Sequence, residues 1–453
     1  MTFRVIALGC QMNLSDSERI ASVLHGAGYT EAEDEQQADL LGVIACSVRQ
    51  KAIDRIYSKI HEWNRWKNTR PLLTFVSGCI LPEDERKFLK LFDLVFRIDD
   101  LPDLPEMVRT YGVPLGEPTR SVTLQHADAF WGITPRYQST FAAHVPIQNG
   151  CDKFCTFCAV PYTRGREVSR PVADILSEVS SLVANGYRTI NLLGQNVNSY
   201  GLGQHDPRGM AFPSFAELLD EVGTVADATP EPVWVYFTSP HPSDMTSDVL
   251  DAIAEHPSLA KQIHLPLQSG DDKVLIRMNR NYRLADYRSI VAEIRTRLPT
   301  ATLFTDLIVG FCGETDDQFA ATRSAMEEFH YNMAFIATYS PRPGAAAARW
   351  HDDVAPAEKK RRLHDLSAVL QRTALAHNAA LVGTTVDVLV EAEDRQPGMV
   401  LGRTEGRIPV RLAGGADTVG TMLRATVTHA RSLSLAAALA TPRTPAPLAV
   451  TAG

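Results

Sequence analysis

Short apolar runs alternate with helix-like stretches along most of this chain, and this alternation limits the possible folds more than any other feature. In the first hundred residues such runs occupy residues 5–8, 40–45 and 72–78. Strands that alternate with helices form parallel α/β sheets. We therefore expect a parallel α/β domain at the N-terminus, covering residues 1–118.

A cysteine follows each of these three runs, at Cys10, Cys46 and Cys79. If the strands are parallel, the three thiols converge at the carboxyl edge of one sheet, where open α/β sheets bind ligands. The alternative is that each cysteine is a small buried residue at a strand end. Three cysteines in the same structural position favour shared use, but the pattern alone leaves both interpretations open.

Six further strand-like runs with helical stretches between them predict a (β/α) barrel, full or partial, over residues 137–378. Most of these runs end in polar or glycine-rich tails, which is where a barrel keeps its active site. The runs occupy residues 144–147, 189–193, 233–237, 263–267, 303–309 and 334–339.

The last part of the chain changes character. Short strands with turn-rich gaps predict a small antiparallel β-barrel over residues 379–443. Residues 116–132 are weakly periodic and indicate a linker. The Ala/Pro/Thr-rich end, with residues 444–453 as its tail, is expected to be disordered.

Composition excludes several classes of protein. Hydrophobic residues make up 45% and charged residues 22% of the 453 residues, which is ordinary for globular proteins and disfavours disordered, collagen-like and coiled-coil chains. No apolar run is long enough to span a bilayer, and the N-terminus does not resemble a signal peptide. We expect a cytoplasmic protein that has no membrane association.

Net charge is −8, which argues against a protein that coats polyanions along its whole surface. A local excess of positive charge nevertheless lies between residues 49 and 70, interleaved with Tyr57, Trp63 and Trp66. Basic and aromatic residues together suit phosphate contacts and base stacking. A solvated helix face is the simpler interpretation of the same run.

The segment CDKFCTFC at residues 151–158 carries the most specific chemical signal. Cys151, Cys155 and Cys158 can hold one iron–sulfur cube through three thiolates, which leaves one iron without a protein ligand. Such an open iron is what substrate-directed metal chemistry needs. A zinc site completed by a distant His or Cys is the alternative.

This segment resembles the hallmark of radical S-adenosylmethionine (SAM) enzymes, and further stretches resemble their methylthiotransferase family. The likeness covers nearly the whole chain and is closest to the branch that acts on N6-isopentenyladenosine in tRNA. It rests on PIQNGC (146–151), PYTRGRE (161–167), GCQMN (9–13), ACSVRQKA (45–52), LPLQSG (265–270), RMNR (277–280) and YSPRPG (339–344).

The resemblance implies an N-terminal methylthiotransferase domain, a central radical SAM barrel and a C-terminal TRAM domain. It implies two 4Fe-4S clusters, one on the three cysteines of residues 151–158 and an auxiliary one on the three cysteines of the first domain. SAM would bind the open iron of the first cluster and yield a 5′-deoxyadenosyl radical, because a ring C–H bond is too strong for acid–base abstraction. The implied SAM pocket includes Phe157, Gln195, Ser239, Gln268 and Gly310.

The same resemblance implies that the substrate is the anticodon stem-loop of tRNA, gripped by the basic run and the TRAM domain. It also implies a flavodoxin- or ferredoxin-type reductant and a protein that delivers sulfur or iron–sulfur units, and we expect a monomer. Cys312 stands where the family usually has proline, and we interpret it as a packing residue. The alternatives are a sister methylthiotransferase that acts on threonylcarbamoyl-adenosine or a ribosomal-protein aspartate, and a non-catalytic iron–sulfur or zinc RNA-binding protein.

Overall fold

The computed structural model of the protein describes residues 1–46, 50–110, 130–205, 209 and 211–440. Most of the predicted linker and the whole predicted tail lie outside these residues. The described helices are α1 (Gln11–Gly26), α2 (Gln50–Trp66), α3 (Pro82–Phe88), α4 (Leu104–Thr110), α5 (Val160–Arg164), α6 (Val172–Ala184), α7 (Phe215–Asp227), α8 (Ser247–Glu255), α9 (Asp272–Arg277), α10 (Leu284–Arg297), α11 (Asp316–Phe329) and α12 (Pro356–Ala380).

The N-terminal unit is a five-stranded parallel sheet, as predicted. Its strands lie in the order β2-β1-β3-β4-β5, and helices α1 to α4 connect or follow them. The central strand β3 is buried along its whole length, as expected of a strand covered on both faces. The strands are β1 (Thr2–Ala7), β2 (Thr30–Glu31), β3 (Leu40–Cys46), β4 (Leu73–Cys79) and β5 (Leu94–Val95).

The central unit is a partial barrel of six parallel strands in two halves. One half has the order β10-β9-β6 and the other β11-β12-β13, and a bridge from Val235 to Leu259 lies between them. A two-stranded pair, β7 and β8, lies beside the first half. The strands are β6 (Ala142–Pro146), β7 (Gln148–Asn149), β8 (Val168–Ser169), β9 (Thr189–Leu193), β10 (Trp234–Phe237), β11 (Gln262–His264), β12 (Thr302–Val309) and β13 (Met333–Thr338).

The C-terminal unit is a closed five-stranded barrel with the order β14-β15-β16-β18-β17. Four of its neighbouring pairs are antiparallel, whereas β16 and β18 are parallel. The predicted antiparallel barrel is therefore corrected at this one pair. Closure removes every free strand edge. The strands are β14 (Thr385–Glu393), β15 (Met399–Thr404), β16 (Pro409–Ala413), β17 (Met422–Arg431) and β18 (Ser434–Leu439).

The turn between β15 and β16 attaches this barrel to the amino-terminal end of the central one. Arg407 stacks on the ring of Tyr236 at 3.9 Å and hydrogen-bonds to the side chain of Asn191. The Tyr236 hydroxyl donates to the backbone oxygen of Glu405 at 2.8 Å, and Thr302 donates to that of Gly406 at 2.9 Å. One turn therefore reaches strands from both halves of the central barrel.

A buried network of charges joins the N-terminal sheet unit to the central barrel. Arg19 on α1 lies 3.7 Å from Glu178 on α6, and Arg170 pairs with the same carboxylate at 2.5 Å. Glu18 accepts a hydrogen bond from the backbone of Gln138, and burial raises its pKa to about 7. Charges this deeply buried must be paired, which fixes how the two units pack. In the described part of the chain, no helix is both long enough and apolar enough to span a membrane.

Candidate functional site

The three N-terminal cysteines meet at the carboxyl edge of the first sheet, as the strand pattern predicts. Cys46 and Cys79 end neighbouring strands and lie opposite each other in register. Cys10 lies just before α1, beyond the end of β1. Cys46 and Cys79 are buried, whereas Cys10 is exposed, so one side of the group is open to solvent.

Asn13, on the first turn of α1, holds this edge together. Its side-chain amide donates to the backbone oxygen of Ala45 at 2.9 Å, and its side-chain oxygen accepts from the Cys10 backbone at 3.2 Å. A Cβ on Gly9 would lie 2.0 Å from that oxygen and 3.0 Å from the Cβ of Cys46. Glycine is therefore required for the close approach of these segments.

The second group of cysteines lies in the loop after β7, and hydrogen bonds from a distant turn fix the loop. Thr156 donates through its backbone to Met278 at 3.0 Å, and the Asn279 side chain donates to the backbone oxygens of Lys153 and Phe154. Gly150, which has a φ of +82°, starts the loop and lies directly against the backbone of residue 166. These contacts fix the backbone that carries the three thiols.

Burial makes the thiolate form of these cysteines unfavourable without a positive partner. It raises the pKa of Cys151 to about 12 and that of Cys158 to about 11. It also raises the pKa of Cys79 to about 11. Iron binding deprotonates thiols and neutralises their charge, so these buried thiols fit a cationic cluster better than free thiolates.

Each cysteine group receives a hydrogen bond from one buried arginine. Arg280 donates to the Sγ of Cys155 at 3.3 Å, and Arg164 donates to the Sγ of Cys79 at 2.9 Å. Both arginines lie in segments that carry the family resemblance, PYTRGRE and RMNR, but the sequence pattern assigned neither of them a role. The signal was present in the motifs, but only the tertiary structure shows which atom each arginine contacts.

Among the residues that the structure describes, no three His, Cys, Asp or Glu side chains converge on one point as ligands of a single metal ion do. A 4Fe-4S cube does not require such convergence, because each thiolate binds a different iron. Three thiols spaced around a loop or a sheet edge are compatible with that arrangement.

Two predicted SAM-pocket residues adopt backbone conformations that are rare for their type. Ser239, which follows β10, has a φ of +61°. Gln268, which follows β11, has a φ of +69°. Non-glycine residues in this region are strained, and such strain clusters at functional sites. The side-chain oxygens of Gln268 and Gln195 are buried and lack a hydrogen-bond partner within the protein, which fits a site built for a polar ligand.

The other two predicted pocket residues have partners within the protein. Phe157 is partly buried against the apolar cluster that contains Met278, Phe311 and Cys312. The backbone N–H of Gly310 already donates to Glu314 at 2.5 Å, so it is not available to a cofactor. Cys312 packs in the same apolar cluster, which agrees with its interpretation as a packing residue.

A polar ring that sequence reasoning missed surrounds the Cys151 loop. Glu167 accepts from the backbone of Asp152 at 3.1 Å and from the hydroxyl of Ser199 at 2.8 Å. His241 is buried, its Nε2 has no partner within the protein, and burial lowers its pKa to about 2. A neutral imidazole at the strand end is thus available to a ligand as a donor or an acceptor.

The predicted RNA-binding helix is only partly available for nucleic acid. Trp63 is fully buried and donates to Glu35 at 2.9 Å, so the expectation that it stacks on a base is wrong. Lys59 pairs with the same carboxylate, and Lys67 pairs with Asp93. The helical period places the tryptophan on the inward face, where the sheet covers it.

Comparison with known proteins agrees with this architecture. Residues 145–326 match the Radical SAM superfamily, residues 2–97 match the uncharacterized protein family UPF0004, and residues 379–440 match the TRAM domain. A tRNA-2-methylthio-N(6)-dimethylallyladenosine synthase from Geotalea uraniireducens is 39% identical over 94% of this chain and 96% of its own length. Its counterpart from Geobacter metallireducens is 39% identical over 95% of this chain and 97% of its own length.

The chain belongs to the tRNA-2-methylthio-N(6)-dimethylallyladenosine synthase family. The cofactors of this radical SAM family are SAM and 4Fe-4S clusters. Among solved structures, the radical SAM methyltransferase TsrM from Kitasatospora setae superposes with a TM-score of 0.55 at 15% identity, over 77% of this chain and 75% of its own. That likeness concerns the fold alone, and the predicted three-part architecture is confirmed.

Proposed function

We propose that this protein adds a methylthio group to C2 of N6-isopentenyladenosine beside the anticodon of tRNA. The observation that carries the proposal is the presence of two separate three-thiol sites, with Arg164 reaching from the segment after Cys158 to the sulfur of Cys79. A structural metal site needs one closed ligand set, whereas radical cleavage and sulfur insertion need two open ones. The relatives carry this activity in their names.

The division of labour follows from position. Cys151, Cys155 and Cys158 would hold the cluster that binds SAM, with Phe157, Gln195, Ser239 and Gln268 around it. Gly310 would line the same pocket without donating to the cofactor, because its N–H donates to Glu314. Cys10, Cys46 and Cys79 hold the auxiliary cluster. When bound, the clusters and SAM supply the radical that removes hydrogen from C2 and the sulfur that replaces it.

The residues of the chain prepare this site in three ways. The loop hydrogen bonds hold the backbone that carries the three thiols. Buried Gln268 and His241 present polar atoms toward the ends of the strands, where a charged cofactor needs them. Burial of Cys151 and Cys155 keeps water away from the reacting atoms.

The open inner face of the second half-sheet suits an unstacked, prenylated base. Phe335 on β13 is 51% exposed, and its ring lies 5.7 Å from that of His264. Asp306 pairs with His264 at 2.6 Å and is next to Phe335 in register. Aromatic rings stack on splayed RNA bases and pack on prenyl groups, whereas a threonylcarbamoyl group would bring a second carboxylate toward Asp306.

Several further assignments are part of this proposal. The chain divides into 1–118, 137–378 and 379–443, with the methylthiotransferase, radical SAM and TRAM parts in that order. The anticodon stem-loop contacts the outer face of α2 and the TRAM barrel, and the protein acts as a monomer. A flavodoxin- or ferredoxin-type protein supplies electrons, and a sulfur or iron–sulfur delivery protein reloads the auxiliary site. The proposal also includes a cytoplasmic location, because thiols stay reduced in that compartment.

The deciding experiment is mass spectrometry of tRNA nucleosides from cells that lack this protein, with and without complementation. We expect N6-isopentenyladenosine to accumulate and to regain a methylthio group when the protein is restored. An unchanged isopentenyl pool together with loss of another methylthio mark would move the substrate to a sister type. No change in any methylthio nucleoside would favour a non-catalytic RNA-binding role.

A further inference from the structure

Arg164, the last residue of α5, contacts a cysteine of the N-terminal group from the segment that follows the other group. Its Nε donates to the Sγ of Cys79 at 2.9 Å, although the two residues are 85 positions apart. Its two terminal nitrogens pair with the carboxylate of Asp16 on α1. Arg164 is 3% exposed and Asp16 is 1% exposed, so the whole arrangement is buried.

Arg164 and Asp16 each lie close in the chain to a different cysteine group. Arg164 lies six residues after Cys158, in the segment that leaves the radical SAM cluster loop, and Asp16 lies six residues after Cys10. Arg280, by comparison, donates to Cys155 from within the central barrel. Among the described residues, Arg164 thus links the backbone beside one thiol group to a sulfur of the other.

A guanidinium in this position acts on a cluster in a predictable direction. Reduction adds a negative charge to a thiolate-held cluster, and hydrogen bonds to its sulfurs are among the factors that set its potential. A positive donor stabilises the reduced form more than the oxidised form. Burial strengthens the effect, since little water screens the charge.

The hydrogen bond from Arg164 Nε to Cys79 is distinct from the ion pair that attaches the two units. The two terminal nitrogens already form the ion pair that attaches α5 to α1. Nε is not needed for that pair, yet it points at the sulfur of Cys79. A lysine would keep the charge near Asp16 but could not donate to both groups with the same fork geometry.

We propose that Arg164 is a positioning residue that fixes the sulfur of Cys79 against α5 and raises the reduction potential of the auxiliary cluster. The inference rests on the proposed function, which assigns that cluster to Cys10, Cys46 and Cys79. Arg164 thereby ties the position of α5, which follows the radical SAM cluster loop, to the readiness of the auxiliary cluster to accept an electron.

The test measures the midpoint potential of the auxiliary cluster by redox titration with electron paramagnetic resonance. The full chain carries Cys151→Ser, Cys155→Ser and Cys158→Ser, so only the auxiliary cluster is loaded. We expect Arg164→Gln to make the equilibrium for reduction at least tenfold less favourable, a shift of about 59 mV to more negative potential for one electron. Arg164→Lys should shift the potential in the same direction by less.

Two controls isolate the contact. Arg166→Gln removes an exposed arginine two residues along the chain, paired with Asp152, and should leave the potential unchanged. In a chain that instead carries serine at Cys10, Cys46 and Cys79, Arg164→Gln should leave the potential of the radical SAM cluster unchanged.

An auxiliary cluster with full iron content and the same potential in Arg164→Gln would overturn the inference. Because Arg164→Gln leaves the Asp16 carboxylate buried without a partner, the chain can fail to fold. The double variant Asp16→Asn/Arg164→Gln removes that charge, and Arg164→Lys keeps the ion pair, so an unchanged potential in either one also counts against the inference. If the chain with serines at residues 151, 155 and 158 holds no cluster at all, the proposed auxiliary site fails instead.

Discussion

At the scale of single residues, the same amino-acid type has different roles that depend on its neighbours. Cys46 and Cys79 end adjacent strands at an edge that Asn13 organises, whereas Cys312 packs among Val274 and Phe311 in an apolar cluster. Cys312 is no more buried than Cys46 and Cys79, so its apolar neighbours and not its burial set it apart. We therefore propose that the seven cysteines of the chain divide into two groups of three ligands and one structural residue.

Cysteine substitutions test the proposed division of labour. Cys155→Ala should abolish SAM cleavage, because the radical SAM cluster loses one of three ligands. Cys46→Ala should leave cleavage intact and abolish sulfur insertion. Chromatography of 5′-deoxyadenosine and mass spectrometry of the tRNA measure the two outcomes, and Cys312→Ala is the matched control that should preserve both. Equal loss of cleavage in the first two variants would contradict the assignment.

The exposed ring of Phe335 should contribute to tRNA binding. Phe335→Ala should raise the KM for tRNA about tenfold, since stacking of one base on an aromatic ring contributes about 1–3 kcal/mol. Cleavage of SAM without tRNA should not change. Leu375→Ala, which removes an exposed apolar side chain from α12, is the control. An unchanged KM would show that the base does not lie on β13.

At the scale of elements, two polar contacts, besides the Arg164–Asp16 ion pair, help to hold the three parts of the molecule in place. The charge network of α1 and α6 joins the first sheet to the central barrel, and the turn between β15 and β16 joins the terminal barrel to it. Both contacts are polar and partly or fully buried. Polar contacts of this kind specify one arrangement, because any shift would leave a charge without a partner.

The α1 network predicts that stability depends on pH. Burial raises the pKa of Glu18 to about 7, so folding favours its protonated form. This contribution to stability is fully present below the unfolded pKa near 4.5 and is lost as pH rises through about 7. Glu18→Gln should remove this slope and increase stability at pH 8 by up to about 3 kcal/mol, measured by denaturant unfolding between pH 5 and 8.

The matched control for this prediction is Glu31→Gln, which alters an ion pair at the surface between Arg4 and Glu31. It should leave the pH profile of the parent protein unchanged. A Glu18→Gln protein that keeps the same slope would show that another group causes the pH dependence.

The contacts of the turn between β15 and β16 should contribute to the stability of the protein. Arg407→Ala removes a cation–π contact and a hydrogen bond to Asn191, which should lower the free energy of unfolding by about 2 kcal/mol. Hydrogen exchange should increase at β15, β16 and β9 before other strands. Arg424→Ala, in an exposed pair with Asp387, should have no comparable effect. Equal exchange in both variants would argue against attachment through this turn.

At the scale of the whole molecule, the charge distribution limits how the protein can hold RNA. The net charge is −8, and several arginines of the terminal barrel pair with carboxylates of the same barrel. Lys51 and Arg55 are exposed at the start of α2, close to the sheet edge that carries the cysteines. RNA binding should therefore depend on a few phosphate contacts and not on a general positive surface.

The combined variant Lys51→Ala/Arg55→Ala should weaken tRNA binding about tenfold at low salt, and the slope of log Kd against log salt should fall by about 2. Fluorescence anisotropy with labelled tRNA over a salt series measures both. The control Arg288→Ala/Arg372→Ala removes the same charge from arginines that pair with glutamates on neighbouring helices. If the two double variants lose equal affinity, net charge and not α2 decides binding.

The sequence alone determined the parts of this protein that depend on local spacing. Cys151, Cys155 and Cys158 lie within one loop, so their spacing alone predicts a shared site. The strand pattern also placed Cys10, Cys46 and Cys79 at one edge, because parallel strands end on the same side of a sheet.

Only the tertiary structure decided which distant groups meet these sites. The contact of Arg164 with Cys79, the insertion of Arg407 against Tyr236 and the burial of Trp63 all join residues far apart in the chain or depend on which helix face is covered. Periodicity gives the face of a helix that is buried but not the partner that covers it. Packing of whole units selects those partners, since buried charges and rings are stable only where complementary groups from other elements lie within contact distance.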